Sequence, residues 1–287
     1  MTLRIKVFGV LLATFIGLLT AVYLVSRVVL LNSYDSLESD NVKLSILRVQ
    51  NALSDDLDEL DANLQNWVNL VDVSNVEAEP DATLSRLLTE AFTNSEINFT
   101  IIFDSSDSII FSKAVDLHTG MDFALPVSFR EHFADRDLLL RHSSPDSNLT
   151  GLISLPEGPM LLSSRPIPDS STGSPVGGTM LFVRQLNDAR VDGISRSTQL
   201  ALEVWGVSKP EMPPDFQEAL VAASEDDSTV VRRLDDDRVR GYTVLRDIYG
   251  EPIAIMSVEL PSTIYRRGQR CRCQGKRSGI SVERLCQ

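Results

Sequence analysis

The sequence predicts an α+β protein, in which an N-terminal transmembrane helix continues as a long amphipathic helix and leads into antiparallel sheets. Three features support this prediction: an unbroken apolar run near the N-terminus, a stretch of helical periodicity after it, and a series of short β-rich runs beyond residue 98. Helical segments followed by groups of neighbouring strands are typical of the α+β class.

The first predicted element is the apolar run at residues 7–25, VFGVLLATFIGLLTAVYLV. A run of about 20 apolar residues is long enough to cross a bilayer as a helix. Arg4 and Lys6 precede it, and basic residues favour the cytoplasmic side, so the rest of the chain should lie outside. A cleaved signal peptide is the alternative, but its apolar core is shorter and ends in a small-residue cleavage site. We expect residues 1–32 to hold the chain in the membrane by a single pass.

The second predicted element is a long helix from Tyr34 to Val73. Its apolar side chains recur at steps of three and four residues, which indicates one buried stripe. This stripe, called the seam below, consists of Ile46, Val49, Leu53, Leu57, Leu60, Leu64, Trp67 and Val71. The acidic residues between them are expected to form a solvated face: Asp55, Asp56, Asp58, Glu59 and Asp61. We expect two copies to form a parallel homodimer along the seam.

Two groups of strands should follow this helix, because β-rich runs alternate with polar turn sequences. The first group predicts a five-stranded antiparallel sheet, with strands at 98–104, 108–113, 151–155, 159–167 and 176–186 and helices at 84–92 and 125–134. The second predicts a smaller unit, with strands at 199–204, 229–234, 240–247 and 252–260 and a helix at 216–223. These groups define a first lobe at 33–195, including the long helix, and a second lobe at 196–265.

Composition excludes several classes of function. A net charge of −13 opposes binding to nucleic acid. The sequence contains no GxGxxG, GxSxG or HExxH pattern, so we expect neither enzymatic activity nor a cofactor. His132, Asp135, Asp137 and His142 match no standard metal-ligand spacing, and no metal site is expected.

Several segments together resemble the CHASE4 family of sensor domains. They are NFTIIFD and SIIFSKAVD, PMLLSSRPI, VGGTMLFVRQL, and GYTVLRDIYGEPIAIMSVELP, within residues 42–265. The resemblance implies a Cache/PAS-like fold and an extracytoplasmic sensor of a small molecule, anchored in a bacterial inner membrane and facing the periplasm. It also implies an output domain of histidine kinase or diguanylate cyclase type. Two departures are the absence of a glycine after Asp104 and the presence of Ser262 where the family suggests arginine.

Two other functions remain open at this stage. One is a structural or interaction protein of the cell envelope that uses the long helix as a stalk. The other is an anchored hydrolase, for which the sequence shows no nucleophile or metal constellation. A sheet core without a pocket would favour the structural protein.

The resemblance also indicates where a ligand would bind, because PAS-like domains hold ligands between the sheet and the elements that cover it. We expect the ligand to contact Phe111, Ser163, Arg165 and Arg184. Ser163 and Arg165 share a face of one strand by period-2 alternation. A buried arginine needs an anionic partner, either a ligand carboxylate or an internal acid such as Asp104. We favour the internal pair, because buried charges are normally paired within the protein.

The last segment, residues 266–287, changes abruptly to a basic composition and contains all three cysteines. Members of the family continue after the segment around Ile264 and Tyr265 into a second transmembrane helix and an output domain. We therefore expect this segment to come from a frameshift or a truncated receptor gene, with a genuine basic tail as the alternative.

Overall fold

The computed structural model describes residues 3–70, 92, 95–117, 119–123, 137–168, 177–209, 211–223, 229–235 and 237–262. The predicted helix at 125–134 and the basic tail lie outside these residues. So does the predicted helix at 84–92, except for Phe92.

The described chain contains helices and antiparallel strands, which confirms the predicted α+β class. A long helix, α1 (Leu3–Val68), comes first. The strands that follow before the next long helix are β1 (Phe99–Asp104), β2 (Ile109–Asp116), β3 (Met121–Phe123), β4 (Leu149–Leu155), β5 (Gly158–Ile167) and β6 (Gly178–Gln185), with a 3-10 turn at Asp137–Leu139. The remaining elements are α2 (Asp188–Thr198), β7 (Ala201–Gly206), α3 (Pro214–Ala222), β8 (Thr229–Arg233), β9 (Arg238–Arg246) and β10 (Pro252–Pro261).

The first sheet has six strands among the described residues, in the order β3-β2-β1-β6-β5-β4. The prediction of five strands is wrong by one, because β3 spans only three residues and is too short to show an alternating pattern. β3 pairs with β2, with Ala114 opposite Phe123 and Asp116 opposite Met121. The sheet therefore extends by one short strand beyond the predicted β1–β2 hairpin.

Both faces of this sheet carry buried side chains. On one face, Phe99, Ile101, Leu162, Leu181 and Val183 belong to a single hydrophobic cluster. The alternate residues of the same strands point to the other face, since successive side chains on a strand alternate. Glu59 and Asp61 of α1 contact that second face, at Arg184 of β6 and at Ser163 and Arg165 of β5.

The contact with α1 explains where the seam lies. Ile46, Leu60 and Leu64 are at most 1% exposed within a single chain. They are therefore covered by the chain's own fold, and the seam is not available to pair with a second copy in this conformation. The predicted end of the seam at Val71 lies outside the described residues.

The second sheet has the order β7-β10-β9-β8 among the described residues and packs against α3. Phe216 of α3 meets Tyr242 of β9 edge to face, with ring centroids 5.2 Å apart. The Tyr242 hydroxyl donates to Asp215 Oδ2 at 2.7 Å, which connects the strand to the first turn of the helix. This aromatic contact gives the smaller sheet its own core.

Helix α2 was not predicted from the sequence. Asn187 caps it, because its side-chain oxygen accepts a hydrogen bond from the Arg190 backbone N–H at 3.0 Å. Gln199 ends it in the left-handed conformation at φ 58°. The helix leads from the end of β6 to the start of the second sheet.

The chain divides into two compact units. The larger contains Ile46–Val230 and Gly241–Glu259, and the other contains the described residues up to Ser45, Val231–Arg240 and those from Leu260. The lobe boundaries predicted at 33–195 and 196–265 remain a prediction. Among the described residues, no helix combines the length and apolarity needed to cross a bilayer.

Candidate ligand site

The four residues predicted to contact a ligand lie on the face of the first sheet that α1 covers. They are Phe111 on β2, Ser163 and Arg165 on β5, and Arg184 on β6. The strand register connects Phe111 to Arg165 in one row through Ile102 and Met180, since residues directly opposite each other share a face. The residues share a face, but they do not form one site.

Arg165 and Ser163 are engaged by Asp61 of α1. Asp61 Oδ1 accepts hydrogen bonds from Arg165 Nε and Ser163 Oγ, both at 2.8 Å. Asp61 Oδ2 accepts from Arg165 Nη2 at 2.6 Å and from Asn148 Nδ2 at 2.7 Å. This arrangement is a bidentate guanidinium–carboxylate pair with two further neutral donors.

Asp61 is only 8% exposed, so the prediction that it lies on a solvated acidic face is wrong. Burial by itself would raise the pKa of Asp61. Hydrogen bonds from Arg165, Ser163 and Asn148 outweigh burial and hold the pKa of this carboxyl below its ordinary value. The favoured internal ion pair therefore exists for Arg165, with Asp61 as its partner.

Asp104, which was suggested as the internal partner of a buried arginine, instead shapes the β1–β2 turn. Its Oδ1 accepts from the backbone N–H groups of Ser106 and Ser108, both at 2.8 Å, and from the Ser106 hydroxyl at 2.7 Å. Asp107 takes the left-handed conformation in this turn, at φ 63°. An Asx-type turn therefore replaces the glycine that the family resemblance led us to expect.

A cavity of about 870 Å³ lies between α2, the β2–β3 hairpin and the end of β6. Its volume falls in the range of small-molecule binding sites, roughly 300–1,000 Å³. Charged residues of both signs line it: Glu96, Lys113, Asp116, Asp122, Arg184, Arg190 and Arg196. Of the four predicted contact residues, only Arg184 is among the described residues that line this cavity.

Arg184 is the most buried charged residue of the cavity, with 2% of its surface exposed. Its Nη2 donates to the Ser95 carbonyl and lies 3.4 Å from Glu59 Oε1. Its Nε and Nη1 are buried and have no hydrogen-bond partner among the residues that the structure describes. Burial, and then the nearby charge of Arg190, lower the pKa of Arg184, while Glu59 and Asp56 oppose this. The guanidinium is thus buried and incompletely paired, which is costly unless another group compensates.

Arg190 of α2 connects the cavity to α1. Its Nη1 lies 3.5 Å from Asp56 Oδ1, and its Nη2 lies 2.6 Å from Glu96 Oε2. Burial raises the pKa of Asp56, although Arg190 and then Arg184 act to lower it. Asp56 Oδ2 also has no hydrogen-bond partner among the described residues. Two acids of α1, Asp56 and Glu59, therefore lie beside two of the arginines of the cavity, Arg190 and Arg184.

The α2 wall of the cavity has open space at Gly193. A Cβ built at this position would have no atom within 4 Å. Glycine inside a helix is less favourable than alanine by roughly 0.5–1 kcal/mol. Since packing does not require the glycine, its absent side chain enlarges the cavity.

Lys113 lines the cavity from the β2 side. Its Nζ lies 3.4 Å from Asp122 Oδ2 on β3 and 5.7 Å from the centroid of the Phe92 ring. A cation over the face of an aromatic ring is attracted by the ring quadrupole. The Lys113 ammonium group therefore already has two partners. By contrast, Nε and Nη1 of Arg184 have no hydrogen-bond partner among the described residues.

Sequence reasoning missed two features of this region, and each had a signal. Helix α2 begins with the capping pair Asn187 and Asp188, and Val191 and Ile194 follow at helical spacing. Asp61 lies four residues after Leu57 and three before Leu64, which places it on the buried side of α1. Its charge led to the opposite prediction.

A family model for the CHASE4 domain matches residues 52–205, more than half of the chain. The chain belongs to the CHASE4 family. CHASE4 domains are extracytoplasmic sensor domains of signalling proteins, so the resemblance read from the sequence is confirmed. The matched range contains all four predicted contact residues and the described residues that line the cavity.

The methanogenesis regulatory histidine kinase FilI of Methanothrix harundinacea is 28% identical over 218 residues, which cover 75% of this chain and 24% of that protein. The chain thus spans about a quarter of the length of this relative. The periplasmic domain of LuxQ from Vibrio cholerae is 15% identical with a TM-score of 0.48, covering 77% of this chain and 99% of that one. The sensory domain of the chemoreceptor Tlp3 from Campylobacter jejuni is 9% identical with a TM-score of 0.43, covering 79% and 93%.

Proposed function

We propose that this CHASE4 chain is the ligand-sensing part of a membrane-anchored signal-transduction protein, and that the 870 Å³ cavity receives a small molecule. The observation that carries this proposal is Arg184, a buried cation beside the cavity, two of whose nitrogens have no hydrogen-bond partner within the described part of the chain. A protein meets the cost of such a group when a ligand completes its pairing. The cavity also favours a sensor over an envelope stalk, for which a sheet core without a pocket was expected. Ser163 and Arg165 have a structural role in this proposal, because Asp61 takes up their hydrogen bonds.

A ligand in this cavity would act on α1 through charge. Asp56 and Glu59 of α1 lie beside Arg190 and Arg184, so a ligand that changes the pairing of these arginines changes the contacts of the helix. A ligand can shift an equilibrium between two placements of the helix only by its difference in affinity for them. Signalling would therefore require that one placement pair the arginines with the ligand better than the other.

Residues 7–25 are proposed as the membrane anchor, with the sensor outside. The large apolar side chains whose exposure is described between Leu12 and Val25 are half or more exposed in the folded chain, as at Phe15 (59%) and Leu18 (64%), and they need another apolar environment. Carbonate extraction of membranes from cells expressing the chain tests the anchor. Retention in the pellet is expected, and release of an intact, unprocessed chain into the supernatant would contradict it.

The output is proposed to be of histidine kinase or diguanylate cyclase type, because the curated relative is named a regulatory histidine kinase.

A homodimer is also proposed, through the solvent side of α1, where Leu47 is exposed. Leu47→Cys, in a chain whose native cysteines are replaced by serine, should form a disulfide dimer in membranes. Asn63→Cys on the same helix is the matched control, and equal cross-linking of the two variants would contradict a defined interface.

Occupancy of the cavity is tested with a matched pair at Gly193. The full chain in detergent is screened against a library of small metabolites by thermal shift. Gly193→Ala should keep any stabilisation by a ligand, whereas Gly193→Leu should remove it by filling the cavity. Compounds that stabilise both variants equally bind elsewhere. If no compound distinguishes the two variants, the cavity is not the sensing site.

A further inference from the structure

The face of the sheet under α1 carries two arginines with different partners: Arg184 is buried, and Arg165 has 13% of its side chain exposed. Arg165 has a bidentate carboxylate partner, with Asp61 contacting both Nε and Nη2. Among the described residues, one carboxylate lies within salt-bridge distance of Arg184: Oε1 of Glu59 is 3.4 Å from Nη2, and the Glu59 side chain is 59% exposed. The same fold thus contains one guanidinium with a bidentate carboxylate partner, Arg165. It also contains one open guanidinium, Arg184, which lines the cavity and whose Nε and Nη1 have no hydrogen-bond partner among the described residues.

Arg184 lacks acceptors for two of its nitrogens, because Glu59 and the Ser95 carbonyl engage only Nη2 among the described residues. A neutral carbonyl offers one acceptor oxygen. A carboxylate supplies both the acceptor oxygens and the charge, as Asp61 does for Arg165. The cavity chemistry therefore favours an anionic group in the ligand over an uncharged polar one.

The surrounding acids limit how much negative charge the site accepts. Asp56 and Glu59 lie beside Arg184 and Arg190, and Glu96 pairs with Arg190 at 2.6 Å. A dianion such as inorganic phosphate would meet repulsion from these three carboxylates, since like charges at such distances oppose each other's ionisation. A group with one negative charge pairs the open guanidinium with less repulsion.

The rest of the lining suits an organic ligand. Phe92, Val115 and Leu117 contribute apolar surface beside Lys113 and Arg184. Together with the volume of about 870 Å³, this surface leaves room for an apolar body attached to the anionic group.

We propose that the sensed ligand is an organic monocarboxylate whose carboxylate is held at Arg184, an inference that rests on the proposed sensing function. Arg184 binds the carboxylate from the β6 side of the cavity. The apolar body of the ligand lies toward Phe92 and Val115. Asp56 and Glu59 of α1 then share the arginines with the ligand.

The test compares acids with their amides on the wild-type full chain in detergent. The probes are propionate and propionamide, phenylacetate and phenylacetamide, with inorganic phosphate as the dianion, measured by isothermal titration calorimetry. At least one acid should bind about 10- to 100-fold more tightly than its amide, which is the size of a hydrogen-bonded charge interaction. Phosphate should bind more weakly than that acid.

Arg184→Met should weaken binding of the acid by a similar factor and leave the amide unchanged. Arg196→Met is the matched control on the same cavity, with the same charge change on an arginine that is not buried. The acid–amide comparison needs no variant, so the proposal stays testable even if Arg184→Met fails to fold.

Two results would overturn the ligand class: an amide that binds as tightly as its acid, or an acid whose affinity is the same in Arg184→Met. The absence of binding by both acids would also overturn it. Each of these results leaves the proposed sensor to be judged by the metabolite screen with the Gly193 pair, which makes no assumption about charge. Failure of that screen would reject the cavity itself.

Discussion

Replacing the buried Asp61 with alanine should destabilise the protein more than replacing any exposed acidic residue of α1. The change removes four hydrogen bonds, from Arg165, Ser163 and Asn148, and leaves the Arg165 guanidinium with 13% of its side chain exposed and no carboxylate. Removing one partner of a buried pair costs about 3–5 kcal/mol. For a chain of this size, each kcal/mol shifts the melting temperature by about 2–4 °C, so a fall of about 6–20 °C is expected.

The assay is thermal unfolding of the full chain in detergent, followed by circular dichroism at 222 nm. Asp58→Ala is the matched control, since Asp58 is exposed on the same helix and gains the same helix propensity on substitution. The double variant Asp61→Ala with Arg165→Met should recover part of the loss, because it removes the unpaired charge. Equal melting temperatures for Asp61→Ala and Asp58→Ala would refute the reasoning.

Three further predictions concern pH, packing and one hydrogen bond. The lowered pKa of Asp61 means that its contribution to stability is present above the ordinary value of 3.8 and is lost as pH falls below it. The melting temperature of Asp61→Asn should therefore approach that of wild type in this acid range, and a constant gap would contradict the linkage. Gly193→Ala should stabilise α2 by about 0.5–1 kcal/mol, whereas Gly178→Ala should destabilise the protein, because its methyl group would overlap a backbone carbonyl of β1. Equal melting temperatures of these two variants would count against the packing described. Tyr242→Phe should lose about 1.5–3 kcal/mol with its hydrogen bond to Asp215, measured as a lower melting temperature, and no change would show that the bond is not made.

The sequence predicted the strands well because runs of β-favouring residues between polar turn sequences are a local property. The strand predicted at 159–167 corresponds to β5, and that at 252–260 corresponds to β10, each within a residue or so of the observed bounds. Ser163 and Arg165 were placed on one face of their strand by period-2 alternation, and both donate hydrogen bonds to Asp61. Elements without such a pattern, such as β3 with three residues, were missed.

The sequence could not predict which arginine has a bidentate carboxylate partner. Asp61 and Arg165 are 104 residues apart, and the distance between them is set by how α1 lies on the sheet. Asp104 and Asp61 are the same residue type, but they have different roles. Asp104 shapes a local turn, whereas Asp61 is buried against β5. Local rules describe the side chain's chemistry, whereas the choice of partner depends on the packing of distant elements.

The sequence by itself determined the α+β class, the family and the shared face of Ser163 and Arg165, because these depend on periodicity and on short segments within single elements. Only the tertiary structure decided that the seam faces the chain's own fold, that Asp61 completes Arg165, and that Arg184 is left open beside a cavity. Those outcomes depend on which elements pack against each other and on which charged side chains lie at the contact. The physical reason is that burial and pairing are properties of two or more elements together, and a pattern along one element specifies neither.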